Sequence, residues 1–153
     1  LHHPLASPPG ASGEFYLADA LQFMVDSGAK IKVAPVAGWY DCGKLEALLE
    51  TNHHLLEVGR SGVSDSAVLE NCTIHGFVRV EDGAVVRNCL LGPNVTVESG
   101  ARVERSTLVR TIVGARADIK DSELHDSLVG SESQVWACRG QYSVVDHSVT
   151  LGD

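Results

Sequence analysis

The chain has 153 residues, 44% hydrophobic and 21% charged, so it can bury the core of one domain or of one domain with an appendage. Its 12 Lys and Arg stand against 20 Asp and Glu, a net charge of −8, and without a basic patch nucleic acid is not an expected partner. No apolar stretch approaches the ~20 residues of a membrane span and no secretory signal pattern is seen, so neither membrane insertion nor secretion is expected.

The first part of the chain predicts a flexible lead-in and one helix. Residues 1–12 are rich in turn-forming residues, namely Pro4, Pro8, Pro9 and Gly10. Apolar residues then return at helical spacing over residues 17–27. Asp19 is placed to favour the first turn of this predicted helix, and Gly28 is placed to end it.

A short strand and a second helix are predicted next. Residues 31–36 are apolar and rich in β-branched side chains, which favours a strand. The turn-rich residues 38–43 separate it from residues 44–57, where leucines on one face predict an amphipathic helix. One strand and two amphipathic helices need something to lie against, so residues 13–57 are expected to be the C-terminal piece of a larger α/β domain.

A short-period repeat fills most of the remaining chain. An aliphatic residue returns every five or six positions: Val63, Leu69, Ile74, Val80, Val86, Leu91, Val97, Val103, Leu108, Val113, Ile119, Leu124, Val129 and Val135. A small or slender residue stands two positions before each: Ser61, Ala67, Cys72, Val78, Ala84, Cys89, Val95, Ala101, Ser106, Thr111, Ala117, Ser122, Ser127 and Ser133. This pattern is typical of a hexapeptide-repeat parallel β-helix, whereas a flat sheet with period-2 alternation does not explain the regular skip.

The repeat predicts the geometry of the coils. Three hexads form one coil of three short strands, with each aliphatic residue pointing inward and each small residue at a tight corner. Coils stack at about 4.8 Å, so Ile74, Leu91, Leu108 and Leu124 should form one interior column. We therefore predict a mainly β chain with a β-helix over residues 58–138, followed by end-capping strands over residues 139–153. Trp136 is placed to cover the open end of the last coil.

The cysteines and histidines of the repeat have structural and functional interpretations. Cys72 and Cys89 lie 17 residues apart, at one place in successive coils, and a column of small buried residues is favoured over a disulfide or half a metal site. His75 and His125 directly follow inward aliphatics, so both should point outward. With His147 they do not give the spacing of a three-histidine metal site.

Two segments before the repeat carry motifs. They are Gly13-Glu14-Phe15-Tyr16-Leu17-Ala18-Asp19-Ala20, and Gly38-Trp39-Tyr40-Asp41-Cys42-Gly43-Lys44 followed by Leu48-Leu49-Glu50-Thr51-Asn52. They resemble the GE-[YF]-x-[LI]-[TA]-D-A and G-W-x-D-T-G-K…L-L-E-A-N segments of sugar-1-phosphate nucleotidyltransferases, in which a hexapeptide β-helix often follows. The whole is most similar to the long-form glucose-1-phosphate thymidylyltransferases, over residues 13 to about 150, and this resemblance implies a left-handed β-helix. The general rule for parallel crossovers predicts a right-handed one.

The resemblance implies an activity for a longer parent protein. A nucleoside triphosphate and a sugar 1-phosphate would give a nucleotide sugar, by resemblance dTDP-glucose, and pyrophosphate, with Mg²⁺ as cofactor in a cytoplasmic pathway. The aspartate of the D-T-G motif is one of two metal-coordinating carboxylates in that family, and this role maps onto Asp41. From the residues alone, the favoured interpretation of Asp41 is a loop aspartate that caps the helix starting near Lys44, and the metal role is favoured only with the resemblance. Cys42 departs from the threonine that the family usually has.

The glycine-rich nucleotide loop of that family is not found in these residues. Its phosphate-contacting lysine and its first metal aspartate are not found either, so neither a catalytic nor a substrate-binding residue is assigned in this chain. We expect a C-terminal part of such an enzyme, inactive alone, that serves assembly or regulation.

Two other functions stay open. Hexapeptide β-helices also serve acyltransferases that use a histidine as general base, for which His75 and His125 are the candidates. The second alternative is that the chain is a free-standing oligomerisation scaffold. Several residues outside the inward series are apolar, and they predict a homo-oligomer: Val68, Phe77, Val85, Leu90, Val109, Ile112 and Leu128. The adjacent His53 and His54 face different sides of the second helix, so they are not expected to chelate a metal.

Overall fold

The computed structural model describes residues 16–144 and 149–152, so His147 lies outside the described residues. The chain forms two compact units, residues 1–39 and 40–153, which are described separately. In the first unit, helix α1 (Leu17–Asp26) confirms the predicted helix, and Gly28 follows it at φ 88°. The predicted strand over residues 31–36 is wrong, because this stretch has no regular secondary structure. A strand requires a partner for its backbone hydrogen bonds, and the described part of this unit contains no second strand.

The second unit begins with a loop and the second predicted helix. Helix α2 (Leu45–Leu55) continues into an irregular helical turn, Leu56–Arg60, that ends where Gly59 adopts φ 100°. Leu49 and Leu56 are buried on one face of this segment. The predicted leucine face packs in part, because Leu55, which was assigned to it, is 46% exposed.

Fifteen short strands follow within the described residues. They are β1 (Gly62–Val63), β2 (Val68–Glu70), β3 (Thr73–Ile74), β4 (Val78–Val80), β5 (Val85–Arg87), β6 (Leu90–Leu91), β7 (Val95–Val97), β8 (Arg102–Glu104), β9 (Thr107–Val113), β10 (Asp118–Lys120), β11 (Glu123–Val129), β12 (Gln134–Trp136), β13 (Arg139–Gly140), β14 (Ser143–Val144) and β15 (Thr150–Gly152).

These strands wind into a parallel β-helix of about five coils, which confirms the predicted fold class. Six strands, in the order β15-β12-β10-β8-β5-β2, form one face, and every pair is parallel. The other nine form a sheet that bends into two faces, because β9 and β11 turn a corner at Arg110 and Asp126. The left-handed sense implied by the resemblance stays a prediction.

The interior contains the residues that the repeat predicted. Ile74, Leu91, Leu108 and Leu124 are register partners in successive strands, as expected. Every inward aliphatic from Val80 to Val135 is at most 1% exposed. The first coil differs, since Ile74 remains 40% exposed with a neighbouring coil on one side alone. Burial in this fold therefore requires a coil above and a coil below.

The small residues that precede the inward aliphatics are buried from Val78 to Ser133, whereas Ser61 in the first coil is exposed. The four cysteines are free thiols, and Cys72 and Cys89 continue into Ser106 and Ser122 as one column. Each serine also bridges coils, because its Oγ donates to the carbonyl two residues earlier and accepts a backbone N–H from the next coil. Ser106 Oγ, for example, donates to Glu104 O at 2.7 Å and accepts from Ser122 N at 3.1 Å.

The corners need backbone conformations with positive φ. Gly92 sits at φ 104°, where a side chain would collide with the His75 carbonyl oxygen of the preceding coil. Other corners place non-glycine residues in the same region, including Asn71 and Asn88, both at φ 53°. Asparagine tolerates this conformation better than most residues, which explains its repetition at one corner.

The last strands extend the same ladder. β13 and β14 pair in parallel with β11, and β15 pairs in parallel with β12. Trp136 lies in register between Lys120 and Gly152 and is 39% exposed. It projects from the outer surface of the six-stranded face, so the prediction that it covers the end of the last coil is wrong. Its neighbour Val135 takes the inward position instead.

Candidate functional site

Asp41 lies in the loop that precedes helix α2, and its carboxylate is used locally. Asp41 Oδ1 accepts a hydrogen bond from the backbone N–H of Gly43 at 3.2 Å. This is an Asx-type turn, in which a short side chain takes the place of a backbone carbonyl. Helix α2 begins after Lys44, and no side chain caps its first turn. Asp41 therefore shapes the loop without capping the helix.

The loop is attached to the helix by two further contacts. The rings of Tyr40 and His54 stack at a centroid distance of 4.7 Å and an interplanar angle of 21°. Cys42 Sγ donates to Thr51 Oγ1 at 3.5 Å, and Thr51 Oγ1 donates to Ala47 O at 2.7 Å. The residues on both sides of Asp41 are thus anchored on helix α2.

The helix is in turn anchored on the β-helix. Thr96, which is 9% exposed, donates its hydroxyl to Asn52 Oδ1 at 2.6 Å. Asn52 Nδ2 donates to the carbonyl of Asn94 at 3.5 Å, and His53 Nδ1 lies 2.9 Å from Asn94 Oδ1. His53 and His54 face different partners, as predicted for neighbours on a helix. The motif residues 40–52 are consequently tied to the second and third coils.

Asn94 and Thr96 were missed by the sequence reasoning. Thr96 lies between two inward valines and follows the pattern of any outward residue of the repeat. Its partner Asn52 is 44 residues away in the sequence, so no local spacing relates them. The sequence offered one signal for this contact: Asn52 is the last residue of the motif segment Leu48–Asn52, which precedes the repeat.

The residues near Asp41 do not by themselves make a magnesium site. Mg²⁺ prefers near-octahedral oxygen coordination and is usually held by one or two carboxylates together with substrate phosphates. Asp41 supplies one exposed carboxylate, with one oxygen already bonded to Gly43. Among residues 16–144 and 149–152, no group of three or more His, Cys, Asp or Glu is placed to hold a metal ion.

The two coil histidines point outward, as predicted. His75 is exposed on the first coil, and the His125 side chain is 57% exposed on the fourth. The Nδ1 atom of His125 lies 3.3 Å from Asp126 Oδ2. Since His75 and His125 are three coils apart, about 14 Å, they belong to different surface regions.

His125 borders a shallow groove on the face formed by β6, β9, β11 and β13. The groove has a volume of about 410 Å³ and is lined by Thr107, Val109, Glu123, Leu124, His125, Arg139 and Gly140. Glu123 and Arg139 face each other there, with the closest N–O distance 3.9 Å. The groove combines an apolar floor with one imidazole and one ion pair.

Side chains with shifted pKa values lie away from the His125 groove, at one corner of the coils and in the core. Asp121 accepts hydrogen bonds from the Arg105 guanidinium, and these bonds lower the pKa of its carboxyl group while raising the pKa of Arg105. Burial raises the pKa of the Cys89 thiol. None of these three groups lines the His125 groove or lies in the Asp41 loop, so we interpret them as structural features of the coils.

Comparison with known proteins shows no family for this chain. No protein-family model matches the chain. No curated protein matches it either. Among solved structures it is similar to the acetyltransferase domain of PglB from Neisseria gonorrhoeae FA1090, at 12% sequence identity and a TM-score of 0.33. The match covers 61% of this chain and 52% of that one, so the chain spans about half the length of the structure it matches. A likeness at this level concerns the fold and assigns no activity.

Membrane association was not expected from the sequence. Within the described residues, no helix is both long and apolar enough to cross a membrane.

The outward apolar residues have two different surroundings. Ile112 and Leu128 continue the column of Thr96 on the face that helix α2 contacts, and both are half-buried. Val68 and Phe77 lie on or beside the open first coil and are 38% and 40% exposed. Part of the apolar surface that predicted a homo-oligomer is therefore covered by the chain's own helix.

Proposed function

We propose that the chain is the assembly and positioning part of a sugar-1-phosphate nucleotidyltransferase. The observation that carries the proposal is the continuous set of contacts from the Asp41 loop through helix α2 to the β-helix. The Asp41 loop and helix α2 contain the second of the two segments that resemble this family, and Asn52 in that segment is bonded to Thr96. A β-helix that served only as a spacer would not need this bond.

In this proposal, chemistry belongs to a preceding nucleotide-binding domain, and the present residues position one group. Asp41 would contribute a carboxylate whose companion lies in that domain, and Mg²⁺, a nucleoside triphosphate and a sugar 1-phosphate would bind there. The β-helix would join subunits into a homo-oligomer through the half-exposed residues Val85, Leu90 and Val109. Light scattering at tens of micromolar tests the last point, and a monomer would contradict it.

The experiment for the activity measures pyrophosphate release. A longer product of the same reading frame, about 200 residues longer at its N-terminus, is supplied with dTTP, glucose 1-phosphate and Mg²⁺. We expect turnover by the longer protein, none by the present chain, and a loss of at least about 100-fold in kcat for Asp41→Asn, since a metal contact contributes several kcal/mol to the transition state. Turnover by the present chain, or an unaffected Asp41→Asn variant, contradicts the proposal.

A second candidate is an acyltransferase, and the His125 groove is the observation that favours it. A general base has to be exposed to its acceptor and oriented by a neighbour, and His125 meets both conditions through its exposure and Asp126. The test supplies acetyl-coenzyme A with a set of small amine and alcohol acceptors and measures release of free coenzyme A by chromatography. This candidate requires turnover by the present chain that is lost in His125→Ala and retained in His75→Ala. The absence of turnover excludes it.

A further inference from the structure

The β-helix is connected to the Asp41 loop by two sets of contacts that meet on helix α2. On one side of the helix, Asn52 and His53 contact the turn and strand at Asn94 and Thr96. On the other, Thr51 and His54 contact Cys42 and Tyr40. Four consecutive helix residues, 51–54, thus contact both the loop and the coils.

The contacts differ in strength and in burial. The bond from Thr96 to Asn52 is short, at 2.6 Å, and the Thr96 side chain is almost fully shielded from water. The loop contacts are longer or are made by exposed groups, with Cys42 3.5 Å from Thr51 and Tyr40 50% exposed. A buried hydrogen bond is costly to break, because its partners are left without water. The anchor on the third coil is therefore firm, while the loop depends on the helix beneath it.

We propose that Asn52 and Thr96 are positioning residues, through which the third coil of the β-helix fixes the conformation of the loop that carries Asp41. The coupling follows from the contacts alone. It rests on the proposed function only where Asp41 is given a role in catalysis. If the β-helix also joins subunits, assembly would reach the Asp41 loop by this route.

The side chain of Thr96 offers a matched series of variants. Thr96→Val keeps the shape and removes the hydroxyl, whereas Thr96→Ser keeps the hydroxyl. Thr107→Val makes the same change on another outward threonine of the same coil, on the face of the His125 groove. Tyr40→Leu removes the ring stacked on His54 and provides the reference for a loop detached from the helix.

Two NMR readouts on the 153-residue chain test the proposal. The first is hydrogen exchange at the amides of Gly43 and Leu48, which bond to Asp41 Oδ1 in the loop and Lys44 O in the helix. The second is the ring-current shift of the His54 imidazole protons caused by Tyr40. Exchange at Leu108, in the core, reports whether the β-helix itself stays intact.

The expected result is specific to the hydroxyl group. Thr96→Val should raise exchange at Gly43 and Leu48 about tenfold, which corresponds to the loss of one hydrogen bond of ordinary strength. It should also move the His54 resonance toward its Tyr40→Leu position. Thr96→Ser and Thr107→Val should leave both readouts within twofold of the unmodified chain, and Leu108 should not change in any of these variants.

Two results would overturn the inference. One is a Thr96→Val variant that leaves the loop amide of Gly43 and the His54 resonance unchanged. The other is an equal effect of Thr107→Val, which would mean that any loss of a hydroxyl loosens the loop. Neither result depends on pyrophosphate release, so a failure of the coupling and a failure of the nucleotidyltransferase proposal are separate outcomes.

Discussion

Arg105 and Asp121 lie one above the other at the same corner of adjacent coils, where the guanidinium donates two hydrogen bonds to the carboxylate at 2.6 and 2.8 Å. The other two corners repeat this arrangement. There Arg110 pairs with Asp126 at 2.6 Å, and Arg116 pairs with Glu132. All six residues have φ between 44° and 62°, so each side chain leaves its corner in a similar backbone conformation. Each pair joins two adjacent coils at a different corner of the β-helix.

The pair of Arg105 and Asp121 predicts a stability difference at acid pH. The pKa of Asp121 is lowered in the folded chain by the hydrogen bonds from Arg105. Its contribution is therefore present at neutral pH and is lost as the pH falls below the ordinary aspartate pKa of about 3.9, through the lowered value. Asp121→Asn should lose less stability than the unmodified chain between about pH 5 and pH 2, as measured by the urea midpoint.

The control for this prediction is Asp65→Asn. Asp65 is exposed and forms no ion pair with any described residue. The Asp121 effect should be small and should shrink in 1 M salt, because the pair is open to solvent. Parallel pH profiles for Asp121→Asn and the unmodified chain at low salt would contradict the prediction.

The position of a residue in the interior column should determine how much stability is lost when its side chain is truncated to alanine. Leu108 is fully buried, whereas Ile74 in the same column is 40% exposed on the first coil. Leu108→Ala should lower the free energy of unfolding by about 2–5 kcal/mol, through lost burial and a cavity. Ile74→Ala should cost less than about 2 kcal/mol, since part of this side chain is already in water. Urea denaturation compares the two, and equal losses would show that the first coil is covered in solution.

The corner conformation predicts opposite effects for two exchanges of glycine and alanine. Gly83 has φ 67° and open space around the position of a Cβ atom, so Gly83→Ala introduces strain without a clash and should cost about 1 kcal/mol. Ala137 is an exposed alanine at φ 53°, so Ala137→Gly should be neutral or stabilising by up to about 1 kcal/mol. Thermal unfolding of both variants measures this, and a shift of both in the same direction contradicts it.

The four thiols should react in order of exposure and thiolate content. Cys42 is exposed, whereas Cys89 is buried, and burial raises the pKa of its thiol, so little thiolate forms there. Iodoacetamide at pH 8 should modify Cys42 first and Cys89 last, with the difference abolished in urea. Mass spectrometry of tryptic peptides gives the order. Similar native rates for Cys42 and Cys89 would indicate that the second coil opens readily.

The repeat residues could be predicted from the sequence because their signal is local and recurs in every coil. Val80, Leu108 and Val135 occupy the inward positions that their spacing indicates. The corner arginines could not be predicted, since arginine is no preferred residue at positive φ and its acidic partner lies 16 positions away. The strand over residues 31–36 was predicted wrongly, because β-propensity carries no information about a partner strand.

The candidate site could be predicted from the sequence only in part. The sequence indicated Asp41 and the leucine face of α2, but it left the carboxylate with two interpretations. The Asx turn to Gly43 and the bond from Asn52 to Thr96 depend on backbone direction and on a contact across 44 residues. Neither is encoded in a short motif.

Because the coils stack in register, the β-helix can be lengthened by adding one whole coil. The residues from Val95 to Arg110 fill one repeat, because Val97 pairs with Val113 in the next. Duplicating those 16 residues would lengthen the β-helix by one rise, about 4.8 Å, and keep every interior column in register. It would also create a second copy of Thr96, directly above the first. Helix α2 would keep its original position, because the second copy of Thr96 would follow Arg110 and would lack the Asn94 that Asn52 and His53 contact at the first.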